Sequence, residues 1–419
     1  MGCCPSKPKG DRIHQSLLPA PDLSSKNSSS QNQLQTGNQR SVQIENAPQA
    51  NPPAQPQPSA PTANPPEQSP AQPIAQPATQ PPAQTPAVTA VTQENIDEDS
   101  LFNLLLCGVG ESGKTTIIRQ LKIKYLGGIS NEEKFSLVQT IRGNMVETMK
   151  YLIVWAEKND REISSELEDD VAIINELDPF NCEFTVELAE RLKRLWEDPA
   201  IQEAFEHRDE TVITDHMDYF YPKIDELVQD DYVPSDEDVL RARVRSIGVS
   251  KITLHLQGAF ICIYDVGGQA NERSKWDKAV DKADGIIFCV SLSEYDKPCF
   301  ENEKVLRIND ALETFKGITH NPKYQQSPFF LVFNKYDMFE QKIKNTDTFV
   351  KFYPDYYGDP HDPKACQEYI KQKFIEASNP PTDYRPINVF AQSSLNGNQV
   401  SNNVNEICKY IQANYFGDD

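Results

Sequence analysis

The segment Gly108-Val-Gly-Glu-Ser-Gly-Lys-Thr115 lies between an apolar run, Leu104–Cys107, and residues 116–125, whose sequence is typical of a helix. A strand, a glycine-containing loop and a helix in this order are typical of a phosphate-binding P-loop. The glycines let backbone N–H groups approach phosphate oxygens, and the start of the helix adds a partial positive charge. A glycine turn that matches the pattern by chance is the alternative, and the flanking strand and helix argue against it.

The last two side chains of the loop have expected roles. Lys114 would reach the β- and γ-phosphates of a nucleotide, and the hydroxyl of Thr115 would bind Mg²⁺. The residues predicted to surround the phosphates are Gly108, Gly110, Glu111, Ser112, Gly113, Lys114, Thr115 and Thr116.

Two later segments place polar groups directly after apolar runs. Asp265-Val-Gly-Gly-Gln269 follows residues 259–264, and Asn334-Lys-Tyr-Asp337 follows residues 328–333. Open α/β sheets bind their ligands at the carboxyl ends of such strands. We therefore expect Asp265 to support the Mg²⁺ ion and Gly268 to bring its N–H group to the γ-phosphate.

The segment Asn334–Asp337 matches the base-reading element of guanine-nucleotide proteins. Guanine has hydrogen-bond donors at N1 and N2, and the carboxylate of Asp337 can accept both. Adenine lacks this pair of donors, so the pocket would leave buried polar groups unpaired against ATP. Asn334, Lys335 and Asp337 are thus predicted to bind guanine, which argues against an ATP-using P-loop protein.

A further segment, Asp238-Val-Leu-Arg-Ala-Arg-Val-Arg-Ser-Ile-Gly248, lies between the P-loop and the two later motifs. With it, the chain resembles an α subunit of a heterotrimeric G protein from about residue 100 to residue 415. The resemblance implies a switch that binds GTP with Mg²⁺ and hydrolyses it to GDP and phosphate. It also implies that Arg243 is a built-in catalytic arginine, that Gln269 orients the attacking water and that Ser246 is the second protein ligand of Mg²⁺. By the same resemblance, Leu240, Arg241 and Ser393 contact the nucleotide.

The alternative function is a nucleotide-binding membrane scaffold with little turnover. Arg243 can pair with oxygens of the γ-phosphoryl group as charge develops on them, and Gln269 can orient water with its amide. A scaffold has no need of both residues, so their presence favours the enzyme.

The chain departs from the family pattern at several positions. Ser246 stands where the family has Thr, which removes a methyl group that stiffens the rotamer. Ala270 stands where the family has Arg, whereas Arg273 remains, and Asp310 occupies the position of the Glu that receives it in the active state. The second guanine loop is predicted at residues 391–394, where it includes Ser393.

Composition limits the remaining possibilities. A chain of 419 residues with 38% hydrophobic content can form two domains, and its net charge of −21 argues against nucleic acid as a partner. Apolar runs stay well below the roughly 18–20 residues that span a bilayer. The nine cysteines show no metal-ligand spacing, which fits a reducing cytosol.

The first six residues, Met1-Gly-Cys-Cys-Pro-Ser6, fit the pattern for N-myristoylation of Gly2. Cys3 and Cys4 are then candidates for palmitoylation, and two acyl chains anchor a protein stably. The predicted location is the cytoplasmic face of the plasma membrane or another cell membrane. An unmodified start of the chain is the alternative.

The predicted fold is a P-loop GTPase domain with a mostly parallel six-stranded sheet and an inserted all-α domain. Residues 1–95 form the lipid anchor and a disordered Pro/Gln-rich tether, residues 96–125 and 236–419 the Ras-like GTPase domain, and residues 126–235 the helical domain. The resemblance implies a G-protein-coupled receptor, an effector and a regulator of GTP hydrolysis as partners. It also implies a βγ dimer, but residues 10–93 lack the apolar periodicity of the N-terminal helix that docks on it. Strands are predicted near residues 101–107, 251–257, 259–264, 285–291, 328–333 and 387–391.

Overall fold

The computed structural model describes residues 101–208, 213, 215–299, 302, 304–378 and 387–415. The predicted lipidation sites Gly2, Cys3 and Cys4 and the tether up to residue 95 lie outside these residues. Within the part of the chain that is described, no helix has both the length and the apolar character needed to cross a bilayer.

The centre of the fold is one sheet of six strands with the spatial order β2-β3-β1-β4-β5-β6. The antiparallel pair is β2 with β3, and every other neighbouring pair is parallel. The predicted mostly parallel six-stranded sheet is therefore confirmed. The strands are β1 Leu101–Cys107, β2 Val249–Leu256, β3 Ala259–Val266, β4 Gly285–Ser291, β5 Phe329–Asn334 and β6 Ile387–Ala391.

The antiparallel pair is joined by a two-residue turn. Gln257 and Gly258 have φ angles of 53° and 82°, and positive φ at both central residues matches the right-handed twist of the flanking strands. Three strands have the bounds that the sequence predicts. The other three differ by one or two residues at their ends, where pairing with a neighbouring strand sets the limit.

Both faces of the sheet are covered, as the continuous apolar runs require. Along β1, Leu104 and Leu106 contribute to one core, which also contains residues of α1 and α14. Leu105 and Cys107 point to the opposite core, together with residues of α10, α11 and α13. The helices of this part are α1 Lys114–Tyr125, α8 Asp236–Arg241, α9 Trp276–Ala279, α10 Arg307–Thr319, α11 Tyr336–Asn345, α12 Thr348–Phe352, α13 Pro363–Ala377 and α14 Gly397–Tyr415.

Between α1 and α8 the chain forms an all-α insert with its own apolar core. The sequence predicts one of its helices at residues 186–196 and its end at Asp198-Pro199. Leu188, Leu192 and Leu195 of this helix are indeed buried. Asp198 also caps the next helix, which has Pro199 in its first turn, where a missing N–H costs no hydrogen bond. The helices of the insert are α2 Asn131–Lys158, α3 Glu168–Glu176, α4 Val186–Glu197, α5 Pro199–Glu206, α6 Met217–Phe220 and α7 Ile224–Leu227.

Candidate functional site

The P-loop closes tightly between β1 and α1. Gly113 has a φ of 93°, and a Cβ atom at this position would collide with the side chain of Asn334. Gly268, which follows β3, lies equally close, because a Cβ atom there would be 2.5 Å from both the Gly108 carbonyl oxygen and Lys114 Nζ. Glycine is therefore required at both positions, and the two predicted phosphate-binding segments contact each other through their backbones.

The ammonium group of Lys114 is buried under the loop. Its Nζ donates to the carbonyl oxygens of Gly108 and Val109 at 3.0 and 2.8 Å and to Ser112 Oγ at 3.3 Å. Burial lowers the pKa of Lys114, while the carboxylate of Asp265 acts in the opposite direction. A buried cation beside the start of a helix makes this loop suited to an anion such as a phosphate.

Oxygen atoms suited to Mg²⁺ meet beside the loop. Thr115 Oγ1 and Ser246 Oγ are 2.5 Å apart, although 131 residues separate them in the chain. Asp265 Oδ1 is buried and has no hydrogen-bond partner among the described residues. Burial raises the pKa of Asp265 to about 6, against the lowering effect of Lys114 and Arg119. Because Mg²⁺ prefers oxygen ligands and a nearby carboxylate, these residues fit the ion.

Arg243, the predicted catalytic arginine, is held by two carboxylates. Its Nε donates to Glu111 Oε1 of the P-loop at 3.0 Å, and its Nη1 donates to Glu147 Oε2 of α2 at 3.2 Å. The side chain of Arg243 is only 7% exposed. The structure thus pairs Arg243 with Glu111 and also with Glu147, which sequence reasoning missed.

The segment after β3 is fixed by a second arginine. Arg273 donates through Nε to the Gly268 carbonyl oxygen at 3.1 Å and through Nη1 to Asp310 Oδ1 of α10 at 2.8 Å. Gln269 directly follows Gly268 in the chain. It lies beside the P-loop, since a Cβ atom on Gly110 would be 3.8 Å from Gln269 Cγ. The structure therefore contains the Arg273–Asp310 contact that the resemblance associates with the active state.

The predicted base-reading residues lie at the other end of the site. Asn334 Nδ2 donates to the Ser112 carbonyl oxygen at 2.9 Å, which ties this segment to the P-loop. Ser393 Oγ donates to Asp337 Oδ2 at 2.9 Å, while the backbone N–H of Ser393 donates to Gln399 Oε1 at 2.7 Å. The carboxylate of Asp337 is therefore oriented by a hydroxyl group.

A buried ionic cluster joins the helical insert to the base-reading segment. Lys335 Nζ lies 2.7 Å from Asp215 Oδ2 of the insert and 3.0 Å from Glu294 Oε1. Lys297 Nζ lies 3.3 Å from Asp215 Oδ1, and Arg307 Nη1 lies 2.7 Å from Glu294 Oε1. Although burial acts to raise it, the pKa of Asp215 is held well below its usual range by Lys335 and Lys297. The pKa of Lys335 is raised by the two carboxylates, against the lowering effect of burial.

One cleft of about 940 Å³, a volume that includes part of its open mouth, lies between these segments. Most predicted site residues line it: Gly110, Glu111, Gly113, Lys114, Thr115, Thr116, Leu240, Arg241, Arg243, Ser246, Gly268, Gln269, Lys335, Asp337 and Ser393. Gly108, Ser112, Asp265 and Asn334 are instead among the buried or structural residues behind this lining. The structure thus brings together, in one cleft, segments that the sequence places more than 200 residues apart.

Sequence reasoning missed part of the lining. Asp215 and His216 come from the insert, where no motif marks them, and Met338, Ser394 and Leu395 lie beside predicted residues. Glu111, His216 and Lys335 all have positive φ angles, of 62°, 69° and 55°. Such angles are uncommon for residues other than glycine and often occur at binding sites.

Comparison with known proteins gives consistent matches. A family model described as G-protein alpha subunit matches residues 82–411. Guanine nucleotide-binding protein subunit alpha-1 of Trichomonas vaginalis is 53% identical over 323 residues, which cover 77% of this chain and 80% of that protein. The G(o) subunit alpha of Lymnaea stagnalis is 33% identical over 300 residues, covering 68% of this chain and 83% of that protein. The alpha-9 subunit of Dictyostelium discoideum is 33% identical over 285 residues, covering 68% and 82% respectively.

Proposed function

The chain belongs to the family of G-protein α subunits, which are GTPases that transduce signals, and we propose that it hydrolyses GTP to GDP and phosphate in the cleft described above. The observation that carries this proposal is the position of Arg243 and Gln269. Both line the same cleft as Lys114, so a phosphoryl group, a positive charge and an attacking water can meet at one point.

Each residue has a distinct part in this proposal. Lys114 and the backbone N–H groups of the P-loop bind the β- and γ-phosphates. Gln269 orients the water that attacks the γ-phosphorus atom. Arg243 stabilises the negative charge that develops on the γ-phosphoryl group as it is transferred from GDP to water. A guanidinium group offers a planar fork of N–H donors that fits phosphate oxygens.

We propose that Thr115 and Ser246 would hold Mg²⁺ and that the carboxylate of Asp265 would supply negative charge to this site. When bound, the ion would neutralise charge on the phosphates and so assist transfer of the γ-phosphoryl group to water. The support comes from the two converging hydroxyl oxygens and from the buried Asp265 Oδ1 atom, which has no hydrogen-bond partner among the described residues.

Guanine selectivity is the third part of the proposal. Asp337, oriented by Ser393, would accept hydrogen bonds from guanine N1 and N2. Asn334 would keep this segment in contact with the P-loop, so that base and phosphates bind at a fixed separation. A site built for these hydrogen bonds rejects a ligand that cannot make them.

The family and the Met1–Ser6 motif support a proposal about the membrane and the partners. We propose that acylation of Gly2, with Cys3 or Cys4, anchors the protein to the cytoplasmic face of a membrane. A receptor, an effector and a regulator of GTP hydrolysis are the proposed partners. We further propose the domain division into a tether (1–95), a GTPase domain (96–125 and 236–419) and a helical domain (126–235).

The direct test is phosphate release from purified protein loaded with GTP and then given Mg²⁺. We expect a single turnover of phosphate. Arg243→Cys and Gln269→Leu should each slow this step while leaving GTP affinity within a few-fold of the unaltered protein, because both residues act mainly on the transition state. Tight GTP binding without phosphate release by the unaltered protein would support the alternative function, a nucleotide-binding scaffold.

A further inference from the structure

Arg243, the proposed catalytic arginine, lies outside any helix or strand. Residues 242–248 form an irregular link between α8 and β2. A side chain on such a link is fixed by its contacts rather than by a helix or strand. For Arg243, these contacts come from outside the link.

One helix of the insert contacts Arg243 twice. Asn144 Nδ2 donates to the backbone carbonyl oxygen of Arg243 at 3.0 Å, and Glu147 Oε2 accepts from Arg243 Nη1 at 3.2 Å. Asn144 and Glu147 are three residues apart in α2, so they lie on the same face of that helix. The insert thus fixes both the backbone and the guanidinium group of Arg243.

The second carboxylate comes from the opposite side, because Glu111 belongs to the P-loop. Glu147 is 18% exposed and Glu111 is 21% exposed, so both ion pairs are largely shielded from water. Two carboxylates that bind different nitrogen atoms of one planar group define its plane as well as its position. Loss of the Glu147 contact would remove one of these two ion pairs and so weaken the definition of this plane.

We propose that Glu147 is a positioning residue for GTP hydrolysis: it holds the guanidinium of Arg243 in the orientation from which it meets the γ-phosphoryl group. The inference rests on the catalytic role proposed for Arg243. It makes the helical insert a contributor to the chemical step, because Arg243 is held in place only while α2 of the insert lies against it. Holding a catalytic group in place before the reaction removes an entropic cost from the barrier.

The test measures single-turnover phosphate release and nucleotide affinity in Glu147→Ala and Glu147→Gln. We expect Glu147→Ala to slow hydrolysis about tenfold and Glu147→Gln about threefold, because glutamine keeps the accepting oxygen and loses only the charge. The affinity for a non-hydrolysable GTP analogue should change less than twofold in both variants. Binding of GDP with aluminium fluoride, which mimics the transferred phosphoryl group, should weaken in parallel with the rate.

Glu157→Ala is the matched control, since Glu157 is an exposed glutamate of the same helix. The second control combines Glu147→Ala with Arg243→Cys. If Glu147 acts through Arg243, the double variant should be no slower than Arg243→Cys alone. A purely structural role of Glu147 would instead slow hydrolysis further in the double variant.

Two failures can be told apart. If Arg243→Cys hydrolyses GTP at the unaltered rate, the proposed role of Arg243 is wrong and the role of Glu147 falls with it. If Arg243→Cys is slow but Glu147→Ala hydrolyses GTP at the unaltered rate or faster, only the positioning role of Glu147 is overturned.

Discussion

Replacement of Asp215 by asparagine should accelerate the release of GDP. Asp215 belongs to the helical insert, whereas its partners Lys335 and Lys297 belong to the segments that follow β5 and β4. Lys335 also lies in the segment predicted to bind guanine. For the nucleotide to leave past the insert, these contacts must break, so their strength adds to the barrier for release.

The size of the effect follows from the burial of the cluster. The side chains of Asp215, Lys335 and Lys297 are 12%, 15% and 3% exposed, so solvent screens their interaction little. Hydrogen bonds to charged groups contribute about 1.5–3 kcal/mol each. Lys335 keeps Glu294 as a partner in the variant, so we expect a loss near 2 kcal/mol, which is about a 30-fold faster release.

The assay is the release of a fluorescent GDP analogue after mixing with excess unlabelled GDP. Asp225→Asn provides the matched control, because its pair with Lys193 in the same insert is 66% and 38% exposed and such surface pairs contribute little. Asp225→Asn should change the rate less than twofold. A release rate for Asp215→Asn within twofold of the unaltered protein would refute the view that this cluster restrains the nucleotide.

Three further predictions address the base, the metal and the stability of the fold. Asp337→Asn should reduce the preference for GTP over ATP by about 1–3 kcal/mol, measured by competition with a fluorescent guanine nucleotide; equal competition by ATP in the unaltered protein would contradict the guanine pocket. Thr115→Ala and Ser246→Ala should each raise the Mg²⁺ concentration needed for half-maximal phosphate release, and an unchanged Mg²⁺ titration would remove that residue as a ligand. Asp238 forms an ion pair with Lys223, 2.6 Å away, and Asp238→Asn should lower the free energy of unfolding at neutral pH by about 2 kcal/mol, measured by chemical denaturation. A loss below about 0.5 kcal/mol would contradict the contribution of this ion pair. Burial alone would raise the pKa of Asp238, but hydrogen bonds from Lys223 and Ser235 hold it at about 2, so this stabilisation is present above pH 4 and is lost as the pH falls towards 2.

Much of the fold can be predicted from short, continuous stretches of sequence. A buried parallel strand needs an unbroken apolar run, and the loop that follows it needs glycine where backbones meet. The runs that end at Cys107 and at residue 333 therefore predict both the strands and the positions of the P-loop and of Asn334. The sequence also predicts the two strands on either side of the Gln257-Gly258 turn, and positive φ angles at these two residues reverse the chain between them.

The ends of elements were less accessible from the sequence. Asp198-Pro199 was predicted to stop α4, and it does, but the same two residues also begin α5. A proline that terminates one helix is favourable in the first turn of the next, so the local pattern fits both outcomes. The packing of α5 against α2 in the apolar core of the insert explains why a second helix begins directly after α4 ends.

By itself, then, the sequence determined the sheet, the P-loop segment and the residues that we propose bind phosphates and base, because each is marked by its neighbours in the chain. Only the tertiary structure decided that Asp215 pairs with Lys335 and that Glu147 holds Arg243. These acidic residues lie in an insert that contains 27 acidic residues between positions 126 and 235, and no local pattern separates them from the rest. Their roles arise from how the insert packs on the cleft, since a charge becomes a specific contact only when folding places it, out of water, beside its partner.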